Sequence, residues 1–184
     1  MMTPISLSDG SGVLERHTHL RFPAGVQRTV DVWLPEPQNS APNRRYPVIY
    51  MHDGQNLFDP ALAYTGIDWG VDEAIRRLIT AGLPGAIVVG IWNGGNERWL
   101  DYFPEKLLRL PQGEALIARY GRQDTDQLRA DRYLRFLVNQ IKPLIDATYP
   151  TLPDRAHTVV MGSSMGGLIS LYALEQYPDV FGAA

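Results

Sequence analysis

Apolar and polar positions change period several times along the chain, and each change marks an element. Near the start, Val30, Val32 and Leu34 alternate with Asp31 and Trp33. That period of two predicts a strand over residues 28–34, paired in a β-hairpin with residues 13–20, with Pro23-Ala24-Gly25 as the turn. A loop rich in Pro, Asn and Arg follows from Pro35 to Pro47. Val48-Ile49-Tyr50-Met51 is wholly apolar and reads as a short strand buried on both faces. From Asp68, a candidate N-cap, the period becomes helical: Val71, Ala74, Ile75, Leu78 and Ile79 share one face, and Gly82 and Pro84 end the run. Ala86-Ile87-Val88-Val89-Gly90 is a second buried strand, followed by an aromatic loop over residues 91–104. A helix over 126–149 presents Tyr133, Phe136, Leu137, Ile141, Leu144, Ile145 and Thr148, with Pro143 as the expected kink. Thr158-Val159-Val160-Met161 is a third apolar strand, and Gly167 to Leu174 is helical.

An antiparallel start followed by β-α-β-α-β-α predicts an α/β domain over 1–184, with a mainly parallel sheet and helices on both faces. Ligand sites in such sheets lie beyond the carboxyl ends of the strands. Three segments fall there: the loop after Met51, the loop after Gly90, and Gly162-Ser163-Ser164-Met165-Gly166.

The last segment reads G-x-S-x-G. The string alone arises in roughly 6% of chains of this composition, so its setting carries the weight. Strand, tight turn, helix is the setting of a nucleophile elbow, whose strained backbone projects the Ser hydroxyl above the sheet. Small residues must flank the Ser where strand and helix nearly touch, and here both are Gly. The opposing reading is a Gly/Ser turn of no chemical use. Acyl transfer also needs donors for the oxyanion. One is the N–H of the residue after the nucleophile, Met165; the other comes from the loop after the earlier strand. That loop is His52-Asp53-Gly54-Gln55-Asn56-Leu57-Phe58, where Gly54 allows a tight turn that aims the Gln55 N–H inward. An ordinary Asp-Gly turn is the alternative.

Four blocks together carry a resemblance. They are Met51 to Asp59, Val88-Val89-Gly90-Ile91-Trp92-Asn93, Arg98 to Pro104, and Gly162 to Leu168. In that order, from about Arg28 onward, the chain resembles the family of α/β-hydrolases that holds esterase D-like enzymes, enterochelin-type siderophore esterases, feruloyl and acetyl xylan esterases, and mycolyltransferases. The resemblance implies an α/β-hydrolase fold, a serine esterase with Ser164 as nucleophile, and Gln55 and Met165 as oxyanion donors. The family's acid and histidine lie further along and have no counterpart here, so the chain reads as an N-terminal portion without its C-terminal strands and with weak activity of its own. The competing readings are a binding module that has lost its base and an acyltransferase on the same scaffold.

Among residues present, His52 stands at the correct end of the sheet, either in a structural hydrogen bond or as a base for Ser164. His17 and His19 alternate on a strand and suggest one face. His157 precedes the last strand and should lie at the opposite end from Ser164. Without a base, a Ser hydroxyl is a poor nucleophile at neutral pH. Trp92, Asn93 and Trp99, with Tyr102 and Phe103, are either candidate pocket residues or a packed aromatic loop. Arg98 and Asp101 read as a structural pair. Asp53, Asp59, Asp68 and Asp72 fit no Ca²⁺ loop and read as turn or cap residues, so no metal is expected.

Composition narrows the partners. The 184 residues include 17 Lys and Arg against 20 Asp and Glu, a net charge of −3 with no basic run, which argues against nucleic acid. The absence of Cys removes disulfides and thiol chemistry. The first twelve residues lack the charge and apolar run of a signal peptide, and no stretch reaches membrane-spanning length. The expectation is a cytoplasmic protein acting on a small-molecule ester without a cofactor. An apolar edge at Thr158 to Met161 would invite self-association.

Overall fold

A computed structural model describes residues 1–8, 13–22, 25–35, 43–120 and 124–184. The predicted turn residues Pro23 and Ala24, and most of the loop between Pro35 and Pro47, lie outside the described residues. Six strands form one sheet in the order β1-β2-β3-β5-β4-β6: β1 (Met2–Ser6), β2 (Val13–Arg21), β3 (Gln27–Trp33), β4 (Val48–His52), β5 (Ile87–Ile91) and β6 (Thr158–Met161). The helices are α1 (Val71–Thr80), α2 (Arg98–Tyr102), α3 (Pro111–Tyr120), α4 (Ala130–Phe136), α5 (Lys142–Thr148) and α6 (Met165–Gln176).

The sheet is mixed, not mainly parallel. β4 pairs in parallel with β5 and β6, whereas β1/β2, β2/β3 and β3/β5 are antiparallel. The reason is docking. The predicted hairpin does not stand apart but joins the sheet through β3 against β5, and β1, which the pattern did not announce, extends it.

Alternation sorts the strands onto two faces. Val30, Val32, Val48, Tyr50, Ile87, Val89, Ile91 and Val160 share one cluster with Tyr133, Phe136, Ile141 and Ile145 of the α4–α5 segment and with Ile169 and Ala173 of α6. Trp33, Met51 and Val88 face the other way, against Ile75 of α1. β5 is buried at all five positions, which explains its unbroken apolar run.

Local rules account for the helix boundaries. α1 starts after Gly70 at φ 59°, and Asp68 Oδ2 accepts the Gly70 N–H at 3.0 Å, so Asp68 holds the turn before the helix rather than capping it. Its end closes through Gly82 at φ 87°, with Leu83 N–H bonding to Leu78 O. Leu78 itself is exposed, against the predicted apolar face. The expected long helix is α4 and α5 joined by a π-turn over Leu137–Ile141. Pro143 has no N–H to give the preceding turn, and the π-turn absorbs that loss.

His17 and His19 do not share a face. An irregularity between His17 and Leu20 inserts an extra residue, and His19 takes φ 60°. His17 is buried with Nε2 2.6 Å from Tyr149 Oη, while His19 is exposed. His157 lies just ahead of β6, paired with Asp154 at 2.8 Å. The edge expected open along β6 is partly closed, because Val159 bridges to Ala183 and the Val160 N–H donates to Ala183 O at 3.1 Å. Met161, 47% exposed, remains uncovered.

Candidate functional site

The parallel register places Met51 beside both Gly90 and Met161, so the segments that leave β4, β5 and β6 meet at one end of the sheet. Their meeting depends on missing side chains. A Cβ on Gly162 would lie 2.6 Å from the Gly166 carbonyl carbon, and one on Gly54 would lie 2.4 Å from that of Gly90. Backbone therefore runs against backbone at two crossings, as only Gly permits.

Between Gly162 and Gly166, Ser164 adopts φ 57° and ψ −119°, a conformation rare for a residue with a side chain. It is exposed and immediately precedes α6. Gly166 N–H returns to Ser163 O at 2.8 Å, and Leu168 N–H to Ser164 O at 3.1 Å. Among the described residues the Met165 N–H has no backbone acceptor outside the helix, as expected of the first orphan donors of a helix.

The loop after β4 is bent in the same manner. Asp53 has φ 61° and ψ 43°, and a 3₁₀ turn over Gly54–Asn56 follows, with Asn56 N–H bonded to Asp53 O at 2.9 Å. The Asp53 carboxylate, 2% exposed as a residue, accepts from Arg98 Nε at 2.6 Å, Arg98 Nη2 at 2.8 Å and Asn93 Nδ2 at 2.7 Å. Its own N–H donates to Tyr102 Oη at 3.2 Å. Arg98 also donates to Ser163 O at 3.3 Å and stacks 5.0 Å from the Tyr102 ring centre. The hydrogen bond to Asp53 holds the Arg98 guanidinium above its ordinary pKa.

The expected pair of Arg98 with Asp101 does not form. Both belong to α2, but they point to different partners. Asp101 is fully buried and takes Arg28 at 2.6 Å and Arg129 at 2.6 Å. Of the other acidic residues, Asp59 accepts from Ser8 N–H at 3.3 Å. Asp68 and Asp72 gather with Glu73 at the start of α1. Burial, and then the neighbouring Glu73, push Asp72 up to about 6.

Two cavities open on Ser164. One, about 530 Å³, is lined by Asp53, Gln55, Asn56, Tyr64, Trp69, Asn93, Asn96 and Arg98 among others. The second, about 260 Å³, is apolar, with Trp99, Phe103, Leu116, Met165 and Leu168. Asn93 lines the first cavity and Trp99 the second. Trp92 lines neither: its Nε1–H donates to Asp31 at 2.8 Å, and Arg16 stacks over its ring. Tyr64 and Trp69 carried no sequence signal, because they sit in an aperiodic loop. Asn56 fixes that loop, accepting the Tyr64 N–H through Oδ1 and the Trp69 N–H through its carbonyl.

His52 is fully buried, with Nδ1 2.6 Å from Tyr133 Oη and, among the described residues, no partner for Nε2. Burial lowers its pKa to about 4. It lines neither cavity, and among the described residues neither cavity is lined by a histidine.

The architecture is that of an α/β protein with an exposed, strained Ser at a strand-to-helix turn. The sequence profile of the family described as "Putative esterase" matches residues 24–184, and the chain belongs to that family. It is 28% identical over 160 residues to ferri-bacillibactin esterase BesA of Bacillus subtilis, an alignment covering 84% of this chain and 51% of that protein. An IroE-like serine hydrolase from Shewanella oneidensis superposes with a TM-score of 0.65 at 25% identity, over 91% of this chain and 48% of the other. The enterobactin esterase FES of Shigella flexneri shares the fold at TM-score 0.64 and 18% identity, over 92% and 35%. The chain spans about half the length of the curated relatives it matches.

Proposed function

We propose that this chain supplies the nucleophile and oxyanion hole of a serine carboxylic-ester hydrolase of the α/β-hydrolase type. The observation that carries the reading is the backbone of Ser164, positive in φ and locked between two glycines in backbone contact. Such strain persists only where the surroundings enforce it, and here its effect is to expose Oγ to both cavities. In the proposed reaction Ser164 Oγ attacks the ester carbonyl and loses its proton to a histidine. The N–H groups of Gln55 and Met165 receive the developing oxyanion. The C–O bond to the alcohol then breaks, the histidine returns the proton to the departing alcohol, and water repeats the sequence on the acyl-enzyme to release the acid.

No histidine borders Ser164 among the described residues, and the match covers 84% of this chain but only 51% of the relative BesA, which is therefore the longer protein. We therefore place the histidine and its acid partner after residue 184. On the same reading the chain alone turns over esters poorly, and the uncovered Met161 end of β6 is where it self-associates. The substrate is a small-molecule ester. The polar, aromatic cavity and the apolar one give it two dissimilar halves. Passing the acyl group to an alcohol instead of water would make the same site a transferase.

The test is Ser164→Ala in the full-length protein, assayed on a p-nitrophenyl ester. Turnover should fall by a factor on the order of 10⁴ or more. Retention of most of the activity would remove the proposal.

A further inference from the structure

The two proposed oxyanion donors come from segments more than a hundred residues apart in sequence, and a hole for one oxygen requires them at a fixed separation. The sheet sets that separation only coarsely, because both donors lie in turns beyond the ends of their strands. We propose that Arg98 is the positioning residue that fixes the spacing of the hole. This inference rests on the reading of Gln55 and Met165 as the donors.

The geometry is symmetrical about the guanidinium. Asp53 lies two residues before Gln55, and Ser163 two residues before Met165. Arg98 grips both: Nε and Nη2 hold the Asp53 carboxylate at 2.6 and 2.8 Å, and Nη2 reaches the Ser163 carbonyl at 3.3 Å. Each anchor adjoins a positive-φ residue that aims a donor. Asp53 itself has φ 61°, and Ser164, the residue after Ser163, has φ 57°. A planar fork with several N–H groups can span the two anchors at once, which a lysine ammonium cannot do in one geometry.

The clamp is itself held rigid. Tyr102 stacks under the guanidinium and accepts the Asp53 N–H, and Asn93 donates to the same carboxylate. Asn93 also donates its N–H to Gln55 Oε1 at 3.3 Å, so the loop after β5 bears on the donor residue directly. Gly166 closes against the pair: a Cβ there would lie 3.3 Å from Asp53 Oδ2. All three loops at the carboxyl end of the sheet are thereby tied to one salt bridge. Arg98 need not touch the reacting atoms for this, and its effect is on where two N–H groups point.

The experiment compares Arg98→Lys and Asp53→Asn with the unsubstituted full-length protein. It measures kcat and KM with active sites counted by burst titration, and Ki for a phenylboronic acid, which forms a tetrahedral adduct on a nucleophilic Ser. Both variants should lose about 10- to 100-fold in kcat with KM within about threefold, and boronate affinity should weaken by the same factor as kcat. The pH inflections should stay in place. A purely structural salt bridge would lower the melting temperature and leave kcat per titrated site and Ki unchanged, and that result overturns the proposal. So does a loss confined to KM. A second measurement needs no turnover: in the full-length protein, Asp53→Asn should displace the ¹⁵N–¹H resonances of both Gln55 and Met165. Displacement of Gln55 alone would mean the segments are not coupled, and overturns the proposal. If Ser164→Ala retains turnover, the nucleophile reading fails, and the amide resonances still judge the coupling of the two segments.

Discussion

Replacing His52 by Gln should remove a defined part of the acid sensitivity of this fold. In the folded protein the imidazole is fully buried, its Nε2 has no partner among the described residues, and burial brings its pKa to about 4 from an ordinary 6.5. In the unfolded chain it titrates near 6.5. Between those values the unfolded state holds the extra proton, so stability falls as pH falls. The contribution is fully present above about pH 6.5 and is gone below about pH 4. That gap in pKa corresponds to roughly 3 kcal/mol, a sizeable share of the stability of an ordinary domain. The assay is urea unfolding at intervals from pH 8 to pH 4 for both proteins. Subtracting the two curves cancels the other titrating groups. The advantage of the unsubstituted protein should shrink by about 3 kcal/mol across that window, with most of the change between pH 6.5 and 4. A difference constant with pH would refute the reasoning, because it would mean that His52 takes up its proton as readily folded as unfolded.

Two further outcomes follow from the site. Gly162→Ala drives a Cβ to 2.6 Å from the Gly166 backbone, which cannot yield, and should cost about 2–3 kcal/mol in chemical denaturation; Gly166→Ala meets the Asp53 side chain at 3.3 Å and should cost clearly less. Equal losses would contradict that asymmetry. If the proposed backbone donor at Gln55 is correct, Gln55→Ala in the full-length protein should keep most of kcat, whereas Gln55→Pro deletes the N–H and should lower kcat about 10²–10³-fold. Similar kcat values for the two variants would argue against a backbone donor at this position.

What could be read in the sequence was what neighbours in sequence decide. Gly162 to Gly166 announced its bend because strand, turn and helix are all contiguous, and the positive φ of Ser164 answers that expectation. The face of the α4–α5 segment was visible in its period, but its π-turn was not, since the pattern does not say how the backbone absorbs Pro143. Choices between distant partners were hidden. Arg98 could have met Asp101 three residues on, yet it meets Asp53, 45 residues away, because Asp101 is drawn into the core by Arg28 and Arg129. The antiparallel docking of β3 on β5 was hidden for the same reason, and so was β1, whose five exposed or half-exposed residues carry no alternation. Leu78 looked like a core residue because helical period marks a face without saying how far the sheet beneath it extends.

The two glycine crossings also bear on how such a protein changes over time. The floor of the site is main chain pressed on main chain, at Gly54 with Gly90 and at Gly162 with Gly166. Its walls are side chains from other segments: Tyr64 and Trp69 from the loop before α1, Leu116 from α3, Phe103 after α2. Exchange of a wall residue leaves both crossings undisturbed, whereas any side chain at Gly54 or Gly162 collides with backbone. On the proposed reading, the reacting centre and the selectivity of the surrounding cavities can therefore change separately. Descendants of one ancestor can diverge in the molecules they accept while the centre itself stays frozen, and a laboratory library aimed at new substrates belongs at positions 64, 69, 103 and 116.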